Sequence, residues 1–199
     1  MSQPDLNYPY FTFLGRWQSQ RPLWLAGAGA ALSLEIFSVL YFQKYLGLQP
    51  CLYCVYIREA TLLIALGGFW AAIWPQNLFF RLTGYLGSLA GVGLGLYFSV
   101  KLEFLDLAAA HWPEGYVSCG ARPGWALGRW LARSWPTHFA PRGQCGVDSQ
   151  WSFLSLSMAE MLIVVYVLAL IGLSLGLGAG LAERARLASS SQGLRDRHF

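Results

Sequence analysis

Cys51-Leu52-Tyr53-Cys54 places two thiols two residues apart, directly after Pro50 and at the start of an apolar run. A disulfide across so small a ring removes little loop entropy, so the pair suits exchange better than bracing. At the opening of a helix, free backbone N–H groups and the positive end of the dipole favour a thiolate. Other uses of the spacing fit poorly. Haem c attachment requires His after the second Cys, where this chain has Val55. A zinc site usually brings a second close pair, but Cys119 and Cys145 lie 26 positions apart and His111 and His138 stand in no tight ligand spacing. No metal is expected.

Cys119 sits in Val117-Ser118-Cys119-Gly120 and Cys145 in Gly143-Gln144-Cys145-Gly146. A bridge between them would close a long, mobile ring, suited to attack by a partner's thiol and equally to a structural staple. Arg58 points past disulfides to an electron acceptor. It stands four positions after Cys54, one turn deeper on the same helical face. At about 1.5 Å per residue it lies roughly 10 Å below Cys51, where a lipid-soluble carbonyl compound could reach it. A fixed cation there would stabilise a thiolate at Cys54 and negative charge developing on a reduced acceptor. Glu35 falls at the same depth by the same arithmetic, so a pair or shared polar network with Arg58 is expected, which would make both tolerable in lipid.

The elements that position these residues follow from composition. Of 199 residues, 55% are hydrophobic and only 12% charged, about half the usual share for a soluble protein. With mean hydropathy +0.41, lipid must be part of the solvent. The net charge of +4 does not indicate a nucleic-acid partner, because the basic residues are scattered or flank apolar runs rather than forming a stripe.

Four stretches reach the roughly 20 apolar residues a span requires: residues 22–42, 52–74, 78–100 and 161–181. The expected fold is all-α, a single membrane four-helix bundle over 1–199, with extracytoplasmic loops at 43–50 and 101–160 and cytoplasmic tails at 1–21 and 182–199. Gly84, Gly87, Gly91, Gly93 and Gly95 favour close helix contact in the third span. Arg16, Arg21, Arg81, Arg184, Arg186, Arg195 and Arg197 fall on one side, which the positive-inside rule makes cytoplasmic. All four cysteines then face an oxidising compartment. A cleavable signal peptide ending near Ala28-Gly29-Ala30 is the competing reading of the N-terminus, at odds with that charge count. Between the loop cysteines, Trp125 to Trp135 reads either as a short helix on the membrane surface, with Leu127, Trp130 and Leu131 on one side and Arg129 and Arg133 on another, or as a Trp-rich loop among headgroups.

With these residues in place, the sequence resembles the DsbB family of bacterial inner-membrane disulfide-forming proteins. The resemblance rests on Gln49-Pro50-Cys51-Leu52-Tyr53-Cys54-Val55-Tyr56-Ile57-Arg58, on Leu34-Glu35, and on Gly143-Gln144-Cys145 followed by Trp151-Ser152-Phe153-Leu154-Ser155-Leu156-Ser157-Met158, and covers about Leu23 to Leu177. It implies that a reduced periplasmic thioredoxin-fold partner of the DsbA type attacks Cys119 in a Cys119–Cys145 disulfide. Electrons would pass to Cys51–Cys54 through a transient Cys51–Cys145 bridge, and Cys54, beside Arg58, would reduce ubiquinone or menaquinone. Where many relatives carry a quinone-associated His near the outer end of span three, this chain has Phe98. A vitamin K epoxide reductase-like protein shares the bundle and cysteine pairs, but its motif lies near the end of a late span, whereas here it opens span two. A non-catalytic membrane scaffold braced by loop disulfides is the reading from another class, distinguished by dispensability of Cys54 and Arg58.

Overall fold

The computed structural model describes residues 19–111, 123–143, Cys145, 151–153 and 155–195. Helix α1 spans Arg21–Phe37 and continues as a π-helical segment, Ser38–Tyr45. After a short link come α2, Leu52–Ile73, and α3, Leu78–His111. Two short helices follow, α4 at Ala126–Ser134 and α5 at Pro136–Phe139, then a two-residue antiparallel ladder pairs β1, Ser152–Phe153, with β2, Leu156–Ser157. Helix α6 runs from Met158 to Arg195. Among the described residues, four helices are long and apolar enough to cross a membrane. The fold is an all-α membrane four-helix bundle.

The helices outrun the spans expected from hydropathy, because hydrocarbon thickness limits a span but not a helix. The first continues to Tyr45 rather than 42, since i→i+5 bonding carries it on: Leu46 N–H donates to Tyr41 O at 3.0 Å. The third continues from 100 to His111 through Leu102-Glu103-Phe104-Leu105-Asp106-Leu107-Ala108-Ala109-Ala110, rich in strong helix formers and with Leu102 fully buried. The fourth begins at Met158 rather than 161 and stays helical to Arg195, where a tail was expected.

Helix α2 is the centre of the bundle. It packs closely on α3 and also on α1, while α3 carries α6. Small residues make the α2–α3 approach feasible: a Cβ on Gly84 would lie 2.7 Å from Gly67 O and 2.6 Å from Ala71 Cβ, and one on Gly67 would lie 2.8 Å from Gly84 O. Without a hydrophobic force between helices in lipid, such backbone contact supplies the dispersion that holds the pair. Among the described residues no comparable seam joins α1 to α6, and a cavity lies between them. Gly84→Leu should destabilise the bundle by about 1–3 kcal/mol in detergent-induced unfolding, because the overpacked atoms are backbone. Gly93→Leu, whose Cβ meets nothing within 4 Å, should change stability by no more than about 0.5 kcal/mol.

Candidate functional site

Cys51 caps α2. Pro50 holds the approach extended, Cys51 takes φ −75° and ψ 171°, and its sulfur accepts from Cys54 N–H at 3.3 Å. The cap residue is completely buried, in a core with Leu52, Tyr56, Phe98, Leu102 and Cys145. Its side-chain hydrogen bond to Cys54, then burial, push the Cys51 thiol far above the ordinary cysteine range, and the Asp106 carboxylate adds in the same direction. Cys51 therefore holds its proton when the pair is reduced. Cys54 is half-buried and turns toward a different environment, the cavity between α1 and α6.

That cavity has a volume of about 1000 Å³ and a mostly apolar wall. Its polar groups converge near Cys54. Arg58, 5% exposed, contributes a guanidinium whose Nε lies 3.7 Å from Glu35 Oε1. Arg58 Nη2 donates to Ser38 Oγ at 3.1 Å and Nη1 to the His138 carbonyl at 3.0 Å. The expected Glu35–Arg58 contact is present, and two more partners complete it. Ser38 opens the π-helical segment, which also brings Tyr41 and Phe42 to the cavity beside Trp151; Phe42 and Trp151 meet edge to face at 5.0 Å. On the opposite wall, Tyr166 of α6 donates to Ile57 O at 3.1 Å and shares a 2.8 Å hydroxyl contact with Thr61. The far end is floored by Trp24 against Tyr85, ring centroids 4.7 Å apart.

The segment carrying Cys145 is bound to the same helix. Arg142 and Gly143 both donate backbone N–H to Pro50 O at 3.0 Å. Leu131 and Phe139 bury against Val55. Cys145 is thereby seated in the core that contains Cys51; it is held in a disulfide, whereas Cys51 and Cys54 carry free thiols. Cys119 lies outside the described residues. Of the site residues expected from sequence, Cys51, Cys54, Arg58 and Cys145 gather at one end of α2.

Of the two readings of the segment from Trp125 to Trp135, the helix is the one present, over residues 126–134; Leu127 and Trp130 face outward, as on a helix at a membrane surface, while Gly128 and Leu131 turn toward α2. Phe98 is not part of the cavity: it is buried on the other side of α2, among Tyr53, Tyr56 and Trp125. Ser38 and the His138 carbonyl were missed. Ser38 carried a usable signal, lying three residues after Glu35 on one helical face, while a backbone carbonyl carries none. Among the described residues, no cluster of His, Cys, Asp or Glu could hold a metal.

A family model described as "Disulfide bond formation protein DsbB" matches residues 20–176. Protein-disulfide oxidoreductase DsbI of Lelliottia amnigena is 41% identical over 150 residues, covering 73% of this chain and 67% of the relative. The protein of the same name from Salmonella typhimurium is 39% identical over 149 residues, 73% of this chain and 66% of its own. A putative DsbI of Campylobacter fetus is 35% identical over 133 residues, 66% of this chain and 62% of the relative. The chain thus spans about two thirds of the length of these relatives.

In reduced protein at pH 8, a maleimide should label Cys54 at least about tenfold faster than Cys51, because Cys51 is completely buried and holds its proton whereas Cys54 borders the cavity. Mass spectrometry of quenched time points reads the ratio; equal rates would contradict the buried, protonated cap.

Proposed function

The chain belongs to the DsbB family, and on that premise we propose that it is a protein-disulfide oxidoreductase that forms disulfides by oxidising a DsbA-type thioredoxin-fold dithiol protein and passing the electrons to ubiquinone or menaquinone. It would act in the bacterial inner membrane, as one domain of four spans with both termini cytoplasmic and the cysteine-bearing loops periplasmic. The observation that carries this reading is the two-sided environment of one cysteine pair. Cys54 and Arg58 line an apolar cavity, whereas Cys51 packs with Cys145.

The residues fit a quinone. An apolar trough walled by α1 and α6 suits a prenyl tail, and the polar groups around Arg58 suit a carbonyl-bearing ring. Arg58 and Cys54 would hold the ring end, with Glu35 and Ser38 orienting the guanidinium. A bound quinone supplies a sink for two electrons and two protons.

The remaining chemistry belongs to the chain. A partner thiolate attacks Cys119 of a Cys119–Cys145 disulfide, forming a mixed disulfide and releasing Cys145 as thiolate. Cys145 attacks Cys51 of an oxidised Cys51–Cys54 pair, which releases Cys54 as the leaving group on the cavity side. The partner's second thiol resolves the mixed disulfide and frees Cys119. Cys119 then attacks Cys145 in the Cys51–Cys145 bridge, restoring the loop disulfide and leaving Cys51 and Cys54 reduced by two electrons. Arg58 keeps the negative charge of Cys54 and of the reduced acceptor tolerable in a low dielectric.

Purified protein mixed with ubiquinone and a reduced thioredoxin-fold partner should consume quinone in step with thiol loss, two thiols per quinone. Absence of turnover with the helical fold intact would overturn the enzyme reading. Cys54→Ser should abolish quinone reduction, and Arg58→Gln should lower it about 10²-fold, the scale of losing one preorganised charge-stabilising donor. Wild-type turnover in Cys54→Ser would overturn the electron route and spare the class.

A further inference from the structure

Glu59 is a buried acid that the electron route does not use. It follows Arg58 but points to the other side of α2, is 9% exposed, and accepts a hydrogen bond at Oε2 from Trp125 Nε1. The indole is gripped on more than this atom. Its ring centroid lies 4.5 Å from that of Tyr56 and 5.7 Å from that of Phe98, and Gly124 beside it donates N–H to the Tyr56 hydroxyl at 2.7 Å. Tyr56 and Phe98 are themselves in contact at 4.7 Å, so the receptor is a preformed aromatic wall with a carboxylate at its edge.

Trp125 begins the arm that ends at Cys145. From it, α4 and α5 run along α2, placing the His138 carbonyl on Arg58 and the Arg142 and Gly143 N–H groups on Pro50 O. At the near end of α4, Gly128 permits the approach: a Cβ there would lie 2.7 Å from both Glu59 Oε1 and Trp125 Nε1. We propose that Trp125 is the anchor of this arm, that Glu59, Tyr56 and Phe98 form its receptor, and that these are positioning residues which keep Cys145 within reach of Cys51. The inference rests on the oxidoreductase reading only in giving Cys145 a reason to reach Cys51. Phe98 acquires a role distinct from the acceptor cavity, as the floor under the anchor.

The effective concentration of Cys145 at Cys51 reads this directly and needs neither quinone nor partner. In Cys54→Ser/Cys119→Ser protein, one glutathione disulfide oxidises Cys51 and Cys145 to a single bridge and releases two glutathione thiols, so redox-buffer titration gives an equilibrium constant. Added Trp125→Ala or Glu59→Ala should lower it about tenfold, the scale of a hydrogen bond to a charged group plus lost ring contact. Glu59→Gln, which keeps an oxygen acceptor, should remain within about threefold, and Gly128→Val should behave like Glu59→Ala with no hydrogen-bonding group removed. If Trp125→Ala protein is poorly folded, Trp125→Phe isolates the loss of the N–H and should still lower the constant. As a control, the Cys51–Cys54 equilibrium in Cys119→Ser/Cys145→Ser protein should be unmoved by Trp125→Ala. Constants unchanged within twofold in folded Trp125→Ala and Glu59→Ala would overturn the proposal, as would an equal shift in both equilibria, the mark of a generally loosened α2. A quinone assay that fails while these shifts appear would remove the acceptor reading and leave the anchor standing.

Discussion

A guanidinium inside a membrane helix has to be surrounded by acceptors, and much of the arrangement at one end of this protein satisfies that demand. Arg58 presents five N–H donors, and hydrocarbon offers them no acceptor. Three segments answer: Glu35 from α1, Ser38 from the π-helical segment, and the His138 carbonyl from the arm between the loop cysteines. Because Arg58 is one turn below Cys54, whatever gathers around the cation also gathers around the cysteine pair. The same contacts that make the charge tolerable therefore draw α1, α2 and the arm together. Removing the charge would remove the reason for their convergence as well as any electrostatic role at an acceptor.

The two faces of α2 divide the work between them. The face bearing Cys54, Arg58 and Thr61 is open to the cavity, while that bearing Val55, Tyr56 and Glu59 is covered by α3 and the arm. Cys51 sits at the helix tip between the two, buried and capping. In the proposed route electrons enter from the covered side and leave from the open one, with a single turn of helix as the divide. A disulfide across that turn constrains the fold little, which is what an exchanging pair requires.

Sequence made the frame legible for a physical reason: a membrane reduces placement to one dimension. Span lengths, the depth of Glu35 and Arg58, and the end at which the cysteines gather all follow from counting residues along an axis of known rise. What escaped counting were features set by lateral packing. The His138 carbonyl has no residue-type signature, and the π-helical segment has no distinctive composition to announce one extra residue per turn. Counting puts Leu127, Trp130 and Leu131 on one side of a helix but does not say that only Leu131 meets the bundle. At a membrane boundary both sides of a helix meet apolar surroundings, so periodicity does not separate inside from outside. The role of Trp125 was hidden for the same reason: a Trp beside lipid needs no explanation until its N–H is found on a buried carboxylate.

The open seam between α1 and α6 follows from the solvent too. In water, an apolar trough of about 1000 Å³ between two helices would be a strong drive to collapse. In lipid that drive is absent, because acyl chains wet such a surface as well as another helix would, and helices adhere only where backbones come close. Gly67 and Gly84 create that closeness between α2 and α3, while Gly27 and Gly172, which line the trough, have nothing within 4 Å of where a Cβ would stand. The stability of the bundle is thus concentrated on the helix that carries the sulfurs and the cation, and its neighbours can stand apart as walls. Among the described residues, a cavity walled this way needs no close contact between α1 and α6 to hold its shape.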